Sequence, residues 1–228
     1  MIVPSLKNNR SVYADPAVVS HYTKAHHLQP SESQVLRALS QDLPLATMLD
    51  IGVGGGRTTL HFAHRVLKYI GIDYSPPMVK ACQANYPLCE IHEGDARNLS
   101  AFGKSKFDFV LFSFNGLGYM SHTDRLTALS QIGKALKPGG YFAFSAHNLE
   151  FPNSWKVLQK ENSDWAILND QAHTFQLATY YITPRAQVTQ LLSSGFTNIT
   201  LFGLGNPWVY YLTQRKRILV PSITIINP

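Results

Sequence analysis

Cysteines, long apolar runs and acidic residues are all scarce in this chain of 228 residues. The two cysteines, Cys82 and Cys89, form no C-x-x-C pair and are too few for a disulfide framework. No apolar run approaches the ~20 residues that a membrane span needs, and residues 1–10 lack the apolar part of a secretory signal. We therefore expect a cytoplasmic protein with reduced thiols and no membrane partner.

Acidic residues number 14 against 20 lysines and arginines, which gives a formal charge of +6. A positive balance can attract nucleic acid or another anion. The basic residues are scattered, however, and the run Arg215-Lys216-Arg217 is shorter than the clustered patch of a nucleic-acid binder. No spacing typical of a metal site occurs either. The sequence therefore predicts neither a nucleic-acid partner nor a bound metal.

Hydrophobic residues make up 45% of the chain, as in a globular protein with a full core. The length fits one α/β domain. Short apolar runs alternate with segments of helical spacing, for example Leu126, Leu129 and Ile132. This alternation predicts a parallel, doubly wound sheet, which binds its ligand beyond the carboxyl ends of the strands.

The most informative stretch is an apolar run that ends in Gly52-x-Gly54-x-Gly56 and continues as a predicted helix. Glycines let the backbone turn sharply and let a ligand approach it, and the helix directs free N–H groups at that ligand. The dinucleotide fingerprint G-x-G-x-x-G is not matched, because Arg57 occupies the place of its third glycine. Asp50, two residues before Gly52, would repel a pyrophosphate and favours a ligand that carries positive charge.

Acids also end the next two predicted strands. Asp73 ends the apolar run 69–73, and a carboxylate at that place can accept hydrogen bonds from ribose hydroxyls. Asp95 ends a third run, and residues 107–113 and 136–145 contain the fourth and fifth predicted strands. Each acid alone could be a turn or cap residue. Three acids in order at strand ends form one pattern.

In order, spacing and residue type, residues 48–148 resemble the class I S-adenosylmethionine-dependent methyltransferases. The resemblance implies an α/β fold, a doubly wound, seven-stranded, mostly parallel Rossmann-like sheet with an N-terminal helical lid. It also implies the cofactor S-adenosylmethionine and the product S-adenosylhomocysteine, with Asp95 at the adenine amino group and the N–H of Ala96 at a ring nitrogen. The residues assigned to the cofactor are Asp50, Gly52, Gly54, Gly56, Arg57, Asp73, Tyr74, Met78, Asp95, Ala96, Phe114 and Tyr22.

The resemblance divides the chain, taken as a single domain over 1–228, into four segments. We expect residues 1–45 to form the lid, 46–148 the cofactor-binding core, 149–180 a substrate-binding insertion, and 181–217 a helix and an antiparallel hairpin.

Capping patterns and spacing predict the individual helices. In the lid, one helix is expected over 14–24, and a second opens at a capping-box-like Ser31-x-x-Gln34. Further helices are expected over residues 58–67, 78–85, 124–137 and 184–194. The periodicity breaks down over 149–178, which predicts a long excursion without regular structure above the ligand crevice. This excursion contains Trp155, Trp165, His173 and Phe175.

Methyl transfer from a sulfonium is an in-line displacement, so the protein mainly aligns the acceptor and excludes water. A general base is needed only if the acceptor is protonated. The catalytic candidates are His147, at the end of the fifth strand, and Asn115, after the fourth, although His147 could instead orient a loop. Tyr13, Tyr22 and Trp155 are the expected walls of the acceptor pocket.

The residues after the fourth predicted strand read Phe114-Asn115-Gly116-Leu117, without the Asn-Pro-Pro-aromatic run of amino-group DNA methyltransferases. The sequence therefore predicts methyl transfer to nitrogen or oxygen of a small-molecule acceptor, by a monomer or homodimer. Two alternatives remain open. One is a methyltransferase-like module that binds the cofactor without catalysis. The other is a nicotinamide-dependent oxidoreductase on a similar fold, which Asp50 and Arg57 disfavour.

Overall fold

The computed structural model describes residues 7–151, 157–160, 165–170, 177–217 and 223–226. Four short 3-10 turns accompany the helices in these ranges, at Leu43–Leu45, Ala63–Arg65, Ser100–Phe102 and Gly116–Tyr119. The helices are α1 Lys7–Val12, α2 Pro16–Thr23, α3 Pro30–Ala38, α4 Arg57–Phe62, α5 Pro76–Asn85, α6 His122–Ala135 and α7 Pro184–Ser193. The strands are β1 Thr47–Ile51, β2 Lys68–Asp73, β3 Glu90–Glu93, β4 Phe107–Phe112, β5 Leu136–His147, β6 Val157–Lys160, β7 Trp165–Asp170, β8 Leu177–Ile182, β9 Phe196–Phe202, β10 Trp208–Arg215 and β11 Ile223–Ile226.

The main sheet has the strand order β3-β2-β1-β4-β5-β10-β9-β11. Strands β1 to β5 pair in parallel, and β10 runs antiparallel between β5 and β9. The predicted doubly wound, mostly parallel sheet of seven strands is confirmed, and β11 adds an eighth strand that pairs in parallel with β9. The strand order reverses between β1 and β4, which is where open α/β sheets bind ligands.

Apolar cores cover both faces of the sheet, because alternate residues of each strand point to opposite faces. Leu49 packs in one core with Leu129 of α6, whereas Met48 packs in the other with Val35 of α3 and Phe62 of α4. Strands buried on both faces explain why the sequence shows continuous apolar runs rather than alternation.

Several helix boundaries differ from the prediction by one to five residues, and the structure gives the cause for two of them. Helix α3 begins at Pro30 and is capped by Gln29, whose N–H donates to Glu32 Oε2 at 2.6 Å; the predicted cap at Ser31 is wrong. Proline fits the first helical position, so the helix starts earlier. Helix α4 ends at Phe62 rather than near Leu67, because the N–H of Leu67 is bound to Ala46 O beside the start of β1.

The prediction that 149–178 lacks regular structure is wrong. Strands β6, β7 and β8 form a separate antiparallel sheet, and β8 joins the core where the N–H of Leu149 donates to Ile182 O at 3.1 Å. These strands are short and mostly lack clear alternation, so periodicity did not reveal them. Trp155, His173 and Phe175 lie outside the described residues, as does the side chain of Trp165 in β7.

Within the part of the chain that the structure describes, no helix combines the length and the apolar character that a membrane crossing requires.

Candidate active site

A cavity of about 410 Å³ lies beyond the carboxyl ends of β1, β2, β3 and β4, and its lining includes Tyr13. This volume lies within the range of small-molecule sites. The residues assigned to the cofactor that line it are Gly52, Gly54, Arg57, Asp73, Tyr74, Met78, Asp95, Ala96, Phe114 and Tyr22. Four other predicted site residues, Asp50, Gly56, Asn115 and His147, do not line it.

The glycine turn uses its glycines for different purposes. Gly52 and Gly54 have φ values of +69° and +54°, where glycine is favoured, and both face the cavity. Gly56 has φ +99°, and a Cβ there would come within 2.2 Å of the Tyr86 ring. Gly56 therefore permits the close packing of the turn on α5 and does not face the ligand cavity.

Asp73 ends β2 on the cavity wall and is held by backbone groups. Its Oδ2 accepts from the N–H of Gly54 and its Oδ1 from the N–H of Ser75, both at 2.9 Å. Burial raises the pKa of the Asp73 carboxyl to about 6, although these N–H groups and that of Tyr74 favour the charged form. Since a carboxylate has about four acceptor sites, Asp73 can still accept hydrogen bonds from a ligand.

Asp50 lies beneath the turn instead of on the cavity wall. Its Oδ2 accepts from the Tyr69 hydroxyl at 2.7 Å, and Thr58 also donates to the carboxylate. Burial raises the pKa of Asp50 to about 7, and its Oδ1 has no hydrogen-bond partner among the described residues. Direct contact of Asp50 with a ligand in the cavity is therefore not supported, because the strand turns its side chain into the core.

Asp95 lies at the outer lip of the cavity, after β3. Arg97 donates to its carboxylate at 2.6 to 3.1 Å, and Arg97 also lies 3.5 Å from Asp124. Burial raises the pKa of Asp95, but the bonds and charge of Arg97 outweigh this effect and lower it overall. Asp95 is thus a charged acceptor at the open side of the cavity.

Arg57 reaches the cavity wall but is bound by the protein itself. Its guanidinium pairs with both oxygens of Glu32 at 2.6 Å and donates to His27 O at 3.2 Å. It also lies 4.7 Å from the centre of the Phe114 ring. The sequence assigned Arg57 to the cofactor, whereas in the structure the carboxylate of Glu32 on α3 compensates its charge.

Aromatic rings line one end of the cavity, and one of them, Tyr22, belongs to the helix that packs on the glycine turn. Tyr13 contacts Tyr22, Tyr74 and Tyr119, with ring centres 5.8 to 6.0 Å apart, and Tyr22 contacts Phe114. These residues come from the N-terminal region, the end of β2 and the loop after β4. The lining at this end is thus mostly apolar.

His147 and Asn115 lie together behind this wall. The Asn115 Nδ2 and His147 Nε2 atoms are 3.3 Å apart, and the His147 ring packs 4.6 Å from that of Tyr181 on β8. Asn115 has a left-handed backbone, with φ +62°, and its N–H donates to Ser145 Oγ. Neither side chain lines the cavity, and the His147 ring lies between Tyr181 of β8 and Tyr119, whose ring centre is 6.1 Å away.

The sequence did not reveal Glu32, Gly55, Ser113 or Tyr119. A Cβ on Gly55 would come within 2.5 Å of the Thr23 backbone, so Gly55 lets α2 pack on the turn. Gly55, the middle one of three consecutive glycines, was a signal for close packing, whereas Glu32 looked like an ordinary helix acid. Within the described ranges, no group of three or more histidine, cysteine or acidic side chains is arranged to hold a metal ion.

Comparisons with known proteins agree with this architecture. The model of a methyltransferase domain matches residues 48–140. An uncharacterized methyltransferase of Synechocystis sp. is 32% identical over 112 residues, which are 49% of this chain and 51% of that protein. A demethylmenaquinone methyltransferase of Streptomyces avermitilis is 35% identical over 97 residues, 42% of this chain and 40% of that protein. The chain thus spans about half or less of the curated relatives it matches.

A solved structure shares the fold over most of its length. The 1,6-didemethyltoxoflavin-N1-methyltransferase of Burkholderia thailandensis, with bound 1,6-didemethyltoxoflavin and S-adenosylhomocysteine, superposes with a TM-score of 0.67 at 18% identity. The match covers 93% of this chain and 87% of that one. Together with the glycine turn and the strand order, these comparisons show that residues 48–140 are similar to a methyltransferase domain and that the chain shares the fold of a methyltransferase solved with S-adenosylhomocysteine.

Proposed function

We propose that the protein binds S-adenosylmethionine in this cavity and transfers its methyl group to nitrogen or oxygen of a small-molecule acceptor. The observation that carries the proposal is the position of Asp73. Its carboxylate lies on the cavity wall at the end of β2, fixed by N–H groups of the glycine turn and of the start of α5. A fixed, charged acceptor at that place suits ribose hydroxyls.

The other groups at this end fit the same ligand. Met78 and Ala96 provide apolar wall for an adenine ring, and Asp95 lies beside them as an acceptor for its amino group. Gly54 leaves the turn open, because the nearest described atom to a Cβ there would be Tyr22 Cβ, at 3.9 Å. The proposed cofactor site therefore consists of these residues with Gly52, Tyr74, Phe114 and Tyr22.

The charges of the cavity argue against the oxidoreductase alternative. Asp73 lines it directly beside the glycine turn, where a dinucleotide would put its pyrophosphate. The cations on the wall are already paired with acids, Arg57 with Glu32, Arg97 with Asp95 and Arg10 with Glu93. A ligand with a sulfonium and an ammonium group and no phosphate fits this field better.

The proposed chemistry relies on alignment. When bound, the cofactor supplies both the methyl group and the leaving group. The residues of this chain would hold it at the glycine turn, orient the acceptor against the rings of Tyr13, Tyr22 and Tyr119, and exclude water. His147 and Asn115 lie behind the wall, so we propose that they support the loop after β4 and the joint with β8.

Turnover with a set of acceptors tests this function. Purified protein is incubated with S-adenosylmethionine and separate hydroxyl, amine and N-heteroaromatic compounds, and S-adenosylhomocysteine is quantified by mass spectrometry. The proposal predicts that at least one acceptor class accelerates its formation and gains a methyl mass. Cofactor binding without transfer to any acceptor would favour the non-catalytic module. Tight NADH binding by fluorescence, with no binding of the adenosyl compounds, would favour the oxidoreductase.

A further inference from the structure

Glu32 is a buried acid on α3, with 1% of its surface exposed. Its carboxylate accepts hydrogen bonds from two guanidinium nitrogens of Arg57, both at 2.6 Å. It also accepts hydrogen bonds from the hydroxyl of Ser113 and from the N–H of Gln29. Ser113 also contacts the Tyr210 hydroxyl at 3.1 Å. One carboxylate thus ties α3 to the start of α4, to the loop after β4 and, through Ser113, to β10.

The partners of Glu32 face the cavity. Arg57 and Ser113 both line it, and the guanidinium of Arg57 lies over the ring of Phe114, which lines it as well. Arg57 directly follows the glycine turn, and it also donates to His27 O in the link between α2 and α3. The ion pair therefore joins the cavity wall to residues 16–38, which we name the α2–α3 segment.

The α2–α3 segment rests directly on the glycine turn. The end of α2 comes so close to Gly55 that a Cβ there would lie 2.5 Å from Thr23 Cα, and Tyr22 of the same helix lines the cavity. His26 O adds a contact with His61 of α4 at 2.6 Å. The segment thus packs on the turn beside the ion pair, in addition to the core contacts of Val35.

A buried ion pair contributes little net stability, because the cost of desolvating two charges offsets their attraction. Removing one partner is far more disruptive, since the other charge stays buried without compensation. When Glu32 is lost, this cost falls if the α2–α3 segment moves away and water reaches the guanidinium of Arg57. The expected response to loss of the pair is therefore local opening over the cavity and not unfolding of the sheet.

We propose that Glu32 is a positioning residue: its ion pair with Arg57 holds the α2–α3 segment closed over the glycine turn and thereby sets the affinity of the cavity for its ligand. The inference rests on the proposed function only in taking the cavity as the cofactor site. Glu32 would act through Arg57 and Phe114 without touching the ligand.

Glu32→Gln tests the proposal, because it removes the charge and keeps the shape. Amide hydrogen exchange by mass spectrometry should be ~10-fold faster across residues 16–38 and unchanged in β1 to β5. The dissociation constant for S-adenosylhomocysteine, measured by titration calorimetry, should rise ~10-fold. Glu90→Gln is the matched control, since Glu90 on β3 forms an exposed pair with Lys68 on β2; it should change neither quantity.

Two results would overturn the proposal. One is unchanged exchange in the α2–α3 segment. The other is faster amide exchange throughout the protein, together with a lower melting temperature and an unchanged ligand affinity. That result would assign the pair a purely structural role. If the wild-type protein shows no affinity for S-adenosylhomocysteine, the proposed function fails, while the exchange comparison still tests closure.

A double variant, Glu32→Gln with Arg57→Met, removes both charges of the ion pair and covers the case in which Glu32→Gln does not fold. It should fold, bind S-adenosylhomocysteine more weakly than wild type, and lose no more affinity than Arg57→Met alone, because both residues act through one interaction. Additive losses of affinity, or wild-type affinity in the double variant, would contradict the positioning role.

Discussion

The two ends of the cavity are built in different ways. At the glycine end, the site is built from a single region of the chain, residues 50–97. Its key carboxylate, that of Asp73, is fixed by backbone N–H groups. At the aromatic end, rings from residues 13–22 meet rings from 114–119, and side-chain packing holds them in place. Backbone geometry thus positions the proposed cofactor site, whereas tertiary packing shapes the proposed acceptor site.

The glycine end should be most sensitive to a side chain at Gly56. Gly56→Ala places a Cβ about 2.2 Å from Tyr86 at a φ of +99°, so we expect a loss of roughly 2–5 kcal/mol in unfolding free energy from clash and backbone strain. Urea denaturation measures it. Gly205→Ala is the control, because an added Cβ there meets no described atom within 4 Å. Equal stability of both variants would mean that the turn is not constrained as described.

Asp73→Asn separates binding from folding at the same end. The amide keeps the size of the side chain but loses the charge-assisted bonds to ribose hydroxyls, so affinity for S-adenosylhomocysteine should fall by roughly 1.5–3 kcal/mol. Titration calorimetry measures the change. Asp42→Asn, on an exposed residue that precedes β1, should leave the affinity unchanged. If both variants bind like wild type, the ribose does not lie at Asp73.

The pH dependence of binding gives a smaller effect at the same residue. Burial raises the pKa of Asp73 to about 6, and the ligand should favour the charged form. Affinity for S-adenosylhomocysteine should therefore fall by up to ~10-fold between pH 7 and pH 5. Calorimetry across this range tests it, and Asp73→Asn should lose most of the dependence. A rise in affinity at low pH would reverse the assigned sign.

The same shift has a consequence for the protein without ligand. The folded state binds the Asp73 proton more tightly than the unfolded chain, whose aspartate has an ordinary pKa of 3.8. The contribution of this group to stability therefore declines as pH rises from about 4 to about 6. Bound S-adenosylhomocysteine should reduce this decline, which thermal melts with and without ligand can show.

The smallest effect on cofactor binding is expected at the aromatic end. His147 lies behind the wall, beside Asn115 and Tyr181, so His147→Ala should change S-adenosylhomocysteine affinity by less than ~3-fold while lowering stability by about 1–3 kcal/mol. Calorimetry and urea denaturation measure the two. Once an acceptor is known, a 10²–10⁴-fold loss of turnover with unchanged stability would instead identify His147 as a general base.

The sequence predicted the glycine end far better than the aromatic end. Consecutive strands bring Gly54, Asp73 and Asp95 to one sheet edge, so their order along the chain determines their arrangement. Asp50 follows the same motif but points into the core, since adjacent strand residues face opposite sides.

The Glu32–Arg57 pair joins residues 25 positions apart, and the contact of His147 with β8 depends on strands that periodicity did not reveal. Such contacts depend on tertiary packing, which no local pattern encodes.

The proposed function depends on binding of the adenosyl cofactor at the glycine end, through Asp73. Titration of S-adenosylhomocysteine into wild-type protein and into Asp73→Asn, both shown to be folded by circular dichroism, tests it most directly. We expect one saturable site in the wild type and an affinity weakened by ~10-fold or more in the variant. Absence of binding to the folded wild type at millimolar ligand, or equal affinity in both proteins, would contradict it.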